Sequence, residues 1–129
     1  MRRAAAIVLT AALTFGASCT FAENVAPRED LTQTIRYLLD FVANSDCLFI
    51  RNGWAHTGKE AAAHMSAKYD YYKNEIKTAE DFIRLAGSKS VLSGQPYLVK
   101  TADDKQMKSA DWLGQALRDY RASRSAASK

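Results

Sequence analysis

The sequence predicts an α+β domain, mainly α, of about four helices with one small pair of short strands. Three observations carry that expectation. Apolar residues recur at three- and four-residue steps in four separate stretches, as in helices with one buried face. Two of those stretches open on a threonine followed three residues later by an acid, Thr57-Gly58-Lys59-Glu60 and Thr78-Ala79-Glu80-Asp81, the reciprocal capping pattern of a helix start. Two short apolar runs, around 47–50 and 96–99, are bounded by turn residues and are too short for helices.

In chain order, Met1-Arg2-Arg3, an uncharged apolar run from Ala4 to about Ala17, and the small-residue segment through Ala22 read as a secretory signal peptide spanning 1–22. The run is shorter than the roughly 18 to 20 residues a membrane-spanning helix needs, so no transmembrane span is expected. Cleavage after Ala22 would leave about 107 residues, a single globular domain over 23–121 with a frayed tail over 122–129. A lipoprotein anchor at Cys19 fits less well, because Gly16 stands where such signals carry a bulky residue. The expected location is the periplasm.

Pro27 followed by Leu31, Ile35, Leu38 and Val42 predicts a first helix over about 28–43, stopped by Asn44-Ser45-Asp46, whose side chains compete with the helical backbone. Cys47-Leu48-Phe49-Ile50 then predicts a strand ending at the Asn52-Gly53 turn. The first capping box starts a helix from Gly58 to about Asn74, with Ala61, Met65, Tyr69, Tyr72 and Ile76 near its buried stripe. The second starts a short helix packed through Phe82, Ile83, Leu85 and Ala86, which Gly87 is expected to close in a left-handed conformation. Ser88 to Gln95 reads as a small polar loop, and Pro96-Tyr97-Leu98-Val99 as the second strand. The two strands are expected to meet beneath the second long helix. Thr101 to Lys108 is charged and turn-like, and Ser109 is placed to cap a last helix carrying Trp112, Leu113, Ala116, Leu117 and Tyr120.

Charge excludes one class of partner. Loss of 1–22 removes Arg2 and Arg3 from the 18 basic residues and none of the 14 acidic ones, leaving a net charge of about +2. A mixed, near-neutral surface offers no electrostatic case for nucleic acid. Cys47 is then the mature chain's only cysteine.

Phe49-Ile50-Arg51-Asn52-Gly53, His56-Thr57, Glu60-Ala61-Ala62-Ala63-His64-Met65, Lys68, Ile76 to Ile83, and Ser90 to Tyr97 follow one another in an order and at spacings that resemble the bacterial family catalogued as domain of unknown function 5329, over roughly residues 31–120. Members of that family are small exported proteins of proteobacteria with no established activity. The resemblance therefore implies a fold and a location rather than a chemistry. Some members carry a cysteine where this chain has Gly58, a departure that weakens any scheme in which two cysteines cooperate around Cys47.

The stretch from Cys47 to Lys68 concentrates the reactive side chains, and each pattern has a competing reading. His56, Glu60 and His64 stand four residues apart, a ligand-like spacing on a continuous helix, but a capping box at Thr57 puts His56 outside the helix and engages Glu60. No metal and no other cofactor is expected, and His64 is read as a hydrogen-bonded residue between helix and strands. Cys47 with His64 is the nucleophile-and-base alternative, a thiol or metal hydrolase; its apolar strand setting favours an inert cysteine. Arg51-Asn52-Gly53 beside the helix N-terminus suggests an anion site, against a reading in which Arg51 pairs with Glu60. Ser93-Gly94-Gln95-Pro96-Tyr97 is similar to the Ser-Gly-x-x-Tyr loop of periplasmic lysozyme inhibitors, against a turn in which Gly94 takes positive φ and Tyr97 packs inward. The sequence names no reaction. It favours a non-catalytic periplasmic domain that binds a protein or small anionic ligand through Arg51, Asn52, His56, His64 and Lys68, with the inhibitor loop at Ser93, Gly94 and Tyr97 as the alternative.

Overall fold

Asp30 opens the first helix: its side chain accepts from the Gln33 N–H at 3.1 Å, satisfying one of the otherwise unpaired donors of a helix start. The computed structural model describes residues 28–129. The expected signal peptide and its cleavage site, Cys19 and Pro27 lie outside them. Helix α1 (Leu31–Ala43) buries Thr34, Ile35, Leu38 and Val42 and starts three residues later than its pattern suggested, at the residue that can cap it. It stops where expected, with the Asn44 amide and the Ser45 hydroxyl donating back to the carbonyls of Asp40 and Val42.

Strand β1 (Leu48–Arg51) turns through Asn52 and Gly53, at φ 51 and 82, into β2 (Trp54–His56). Positive φ at both central residues matches the turn to the strand twist, which is why Asn-Gly works here. Helix α2 (Gly58–Tyr71) starts at the reciprocal cap: Glu60 N–H to Thr57 Oγ1 at 3.3 Å, Thr57 N–H to Glu60 Oε2 at 2.8 Å. Gly58 lies against the end of α1, and a Cβ there would stand 2.3 Å from the Val42 carbonyl oxygen.

Helix α3 (Ala79–Phe82) is capped by Thr78 and Asp81 and widens into a π-helical turn, Ile83–Gly87. Gly87 does not close it by a left-handed residue, as the sequence suggested. It is buried without positive φ, and its missing side chain makes room for Leu113, whose Cδ1 lies 2.6 Å from where a Cβ would be. Strand β3 (Leu98–Lys100) pairs with β1 as expected, Phe49 opposite Val99, antiparallel. The sheet has four strands rather than two, in the order β2-β1-β3-β4, because β2 and β4 (Gln106–Lys108) add one strand at each edge. Only 101–105 of the expected turn is a turn, with Asp104 at φ 66.

Helix α4 (Ser109–Ala127) presents Leu113, Ala116 and Leu117 to the core, as its spacing predicted. Ser109 is not its cap. Its side chain is buried and makes no hydrogen bond among the described residues, while its N–H donates to the Tyr97 carbonyl at 2.8 Å and ties the helix start to β3. Residues 122–127, expected as a frayed tail, continue the helix: Arg124 donates to Gln33 of α1 at 2.6 Å and lies over the Tyr120 ring. The core lies between the helices and one sheet face, with Ile35, Leu38, Val42, Phe82, Val99 and Leu113 inaccessible or nearly so. An aromatic seam of Tyr37, Tyr120, Phe41, Trp112 and Phe49 joins α1, α4 and β1. Arg121 fastens α4 to both flanking segments, donating to Glu29 at 2.7 Å and Glu80 at 2.5 Å.

Candidate functional site

Alternation along β1 puts Phe49 into the core and Arg51, two residues on, on the same face beyond the core's edge. Tyr97, two residues before Val99, occupies the corresponding place beside β3. Helix α2 crosses above with His64 and Lys68 one turn apart. Together these four side chains, with Asn52, Tyr71, Tyr72, Ser90, Val91 and Leu92, line an open cleft of about 630 Å³.

Its floor is cationic. His64 Nε2 and the Tyr97 hydroxyl are 3.1 Å apart, and the Lys68 ammonium lies 5.2 Å from the centre of the Tyr97 ring while donating to the Lys89 carbonyl at 2.9 Å. Arg51 has no carboxylate partner among the described residues. Its charge is felt by its neighbours. The His64 pKa is pushed below the ordinary imidazole value by burial first, then by Arg51, Lys68 and His56. That of Lys68 is lowered by burial and by Arg51, and that of Tyr97 is raised by burial.

The expected residues do not all converge. Arg51, Asn52, His64, Lys68 and Tyr97 share the cleft. His56 lies outside it, in a small recess with Phe49, Glu60 and His64, its Nδ1 4.0 Å from Glu60 Oε2. Glu60 remains engaged by Thr57, so the pairing of Arg51 with Glu60 that the sequence offered does not form. Nor does the α2 N-terminus contribute. Its capping box engages the Thr57 and Glu60 N–H groups, Gly58 packs against the end of α1, and neither Thr57 nor Gly58 lines the cleft. Among the described residues no three His, Cys, Asp or Glu side chains gather as a metal site would require.

Tyr97 is 5% exposed, and Gly94 takes φ 69, the arrangement of an inward-packed turn. A side chain so placed is not free to enter another protein's cleft, which removes the geometric basis of the inhibitor loop. Ser93 instead donates to Asn52 Oδ1 at 2.6 Å and pins the 88–96 loop to the β1–β2 turn. Cys47 packs at the edge of the core, away from the cleft lining, with its pKa raised mainly by burial, the opposite of an activated thiolate.

Sequence reasoning missed Tyr71, Val91 and Leu92; the apolar Val91-Leu92 pair within a Ser- and Gly-rich loop is the signal that points to the last two, and Tyr72, expected near a buried stripe, lines the cleft.

Residues 29–121 match the family described as Family of unknown function (DUF5329), and the chain belongs to that family. It is also similar to the Uncharacterized protein YfeK of Salmonella typhimurium (strain LT2), 44% identical over 52 residues, which are 40% of this chain and 43% of that protein. The match therefore spans less than half the relative's length. No solved structure matches.

Proposed function

We propose that this member of a family of unknown function is a non-catalytic binding domain that takes an anionic ligand in the Arg51, His64 and Lys68 cleft, and that it works in the periplasm after export. The observation that carries the reading is the half-buried Arg51, with no carboxylate in ion-pair distance among the described residues, in an open cleft that it shares with Lys68 and His64. Burial first, and then the neighbouring positive charges, lower the His64 and Lys68 values, and an anion relieves the repulsion between those charges. Guanidinium and imidazolium donors suit a carboxylate or phosphate oxygen. The non-catalytic part of the reading is supported by a thiol remote from the cleft and a His64 ring engaged with Tyr97.

The test is a two-dimensional NMR titration of the labelled protein with acetate, phosphate and sulfate. Shifts confined to 51–53, 64–72 and 88–97, abolished in Arg51→Ala, are expected; no saturable shift at tens of millimolar anion sinks the reading. Export is tested separately by fractionation and N-terminal sequencing of the processed protein. A periplasmic chain starting at Glu23 is expected, whereas a cytoplasmic chain starting at Met1 refutes it.

A further inference from the structure

The cleft is more than a cationic floor. Its rim carries three large side chains held out in water: Leu92 at 97% exposure, Tyr71 at 81% and Val91 at 66%. Loop slackness does not account for the display. Ser90 is buried, its N–H donates to the Gln95 carbonyl at 3.0 Å, Gly94 N–H donates to the Ser90 carbonyl at 2.9 Å, and Ser93 and Lys68 tie the loop to the β1–β2 turn and to α2. An anchored loop that exposes adjacent valine and leucine beside a protruding tyrosine maintains an apolar ledge next to a charge, the composition of an interface centre. A tyrosine and an arginine at a groove, as Tyr71 and Arg51 are here, are also among the residue types that dominate protein–protein binding energy.

Resting on the reading of this cleft as an anion site, we propose that its occupant is an extended segment of a partner protein carrying one acidic side chain between large apolar ones. The carboxylate meets Arg51 and Lys68, and the flanking side chains cover Tyr71, Val91 and Leu92. Charge complementarity selects the acid. The open shape selects a polypeptide, because small-molecule sites enclose most of their ligand's surface and this cleft is broadly open to solvent. A free small anion would leave the apolar ledge uncovered.

The experiment is selection of a phage-displayed random heptapeptide library on the purified protein, with Arg51→Glu as the counter-target. Enriched sequences are expected to carry one Asp or Glu flanked by Leu, Ile, Phe or Trp. A synthetic peptide of the consensus should bind about tenfold more weakly to Leu92→Ser and at least tenfold more weakly to Arg51→Glu, and a Glu-to-Gln change in the peptide should cost a similar factor, about that of one charge-assisted contact. Both positions are at the cleft surface, and circular dichroism of each variant verifies that the fold is kept. A consensus without an acid, or equal enrichment on Arg51→Glu, overturns the proposal. If no peptide is enriched while phosphate still shifts the Arg51 and His64 resonances, the anion site stands and the peptide occupant is overturned. If neither binds, both readings fail. Self-association that is lost in both variants makes a second copy of this chain the occupant and likewise overturns the proposal.

Discussion

Gly58→Ala tests the closest approach in the fold. The added methyl carbon would sit 2.3 Å from the Val42 carbonyl oxygen, 3.1 Å from that of Ser45 and 3.2 Å from the Ser45 hydroxyl. An ordinary carbon–oxygen contact is about 1 Å longer than the first of these, and the obstructing atom is backbone, so α1 and α2 must separate where they pack. Overpacking of this kind costs about 1–3 kcal/mol, offset by about 0.4–1 kcal/mol from the stiffer unfolded chain. The net expectation is a loss of about 1–2 kcal/mol, a midpoint lower by about 5–15 °C in a domain of this size. Gly114→Ala is the matched control. It lies within α4, where a Cβ meets only Arg118 Nη1 at 3.5 Å, so helix propensity alone should stabilise it by up to about 1 kcal/mol. Thermal and urea unfolding of both variants decide the matter. A Gly58→Ala protein as stable as the parent, with Gly114→Ala stabilised as expected, would refute the packing argument.

Other expectations follow from the electrostatics. Arg51→Gln should raise the His64 pKa, measured from ring proton shifts, because it removes a positive neighbour; an unchanged value would separate the two charges. In the parent, the depressed His64 value means that its contribution to stability is complete above the ordinary imidazole pKa and is lost as pH falls through the folded value. An anion that binds there should bind more tightly over the same descent. Arg121→Met should destabilise by no more than about 1 kcal/mol near neutrality, since the pairs are partly exposed. The difference should vanish in acid: Glu29 and Glu80 have lowered values chiefly through Arg121, so their stabilisation is present above the ordinary glutamate pKa and disappears as pH falls through the folded ones. A variant equally destabilised at acid and neutral pH would contradict this. Cys47 should react with iodoacetamide at neutral pH more slowly in the folded than in the unfolded chain, and faster labelling of the folded form would overturn the assignment of a partly buried, unactivated thiol.

Helix starts were the most legible features, because a cap is local. Thr57 with Glu60 and Thr78 with Asp81 meet within four residues, and no tertiary contact is needed to bring them together. The β1 strand and its Asn52-Gly53 turn were legible for the same reason. Strands β2 and β4 were not. Trp54-Ala55-His56 and Gln106-Met107-Lys108 lack a strand-like pattern and become strands by pairing with β1 and β3. Ser109 resembled a cap and is instead buried at the first turn, because Tyr97 takes its N–H. The role of Gly87 was visible only once Leu113, 26 positions later in the chain, occupied the space beside it.

The site divides along the same line. Local sequence determined that Arg51 and Asn52 end a strand at a tight turn, that Glu60 is occupied by its cap, and that His64 and Lys68 share a helix face. Tertiary structure decided what surrounds them. Pairing of β1 with β3 brought Tyr97 under His64, and the Ser93 to Asn52 bond drew the Val91-Leu92 ledge to the cleft. It also brought no other carboxylate into ion-pair distance of Arg51 among the described residues. The physical reason is one of range: caps, turns and helical faces are completed within a few residues, whereas a cleft's charge depends on groups dozens of residues apart that only the packed chain brings together.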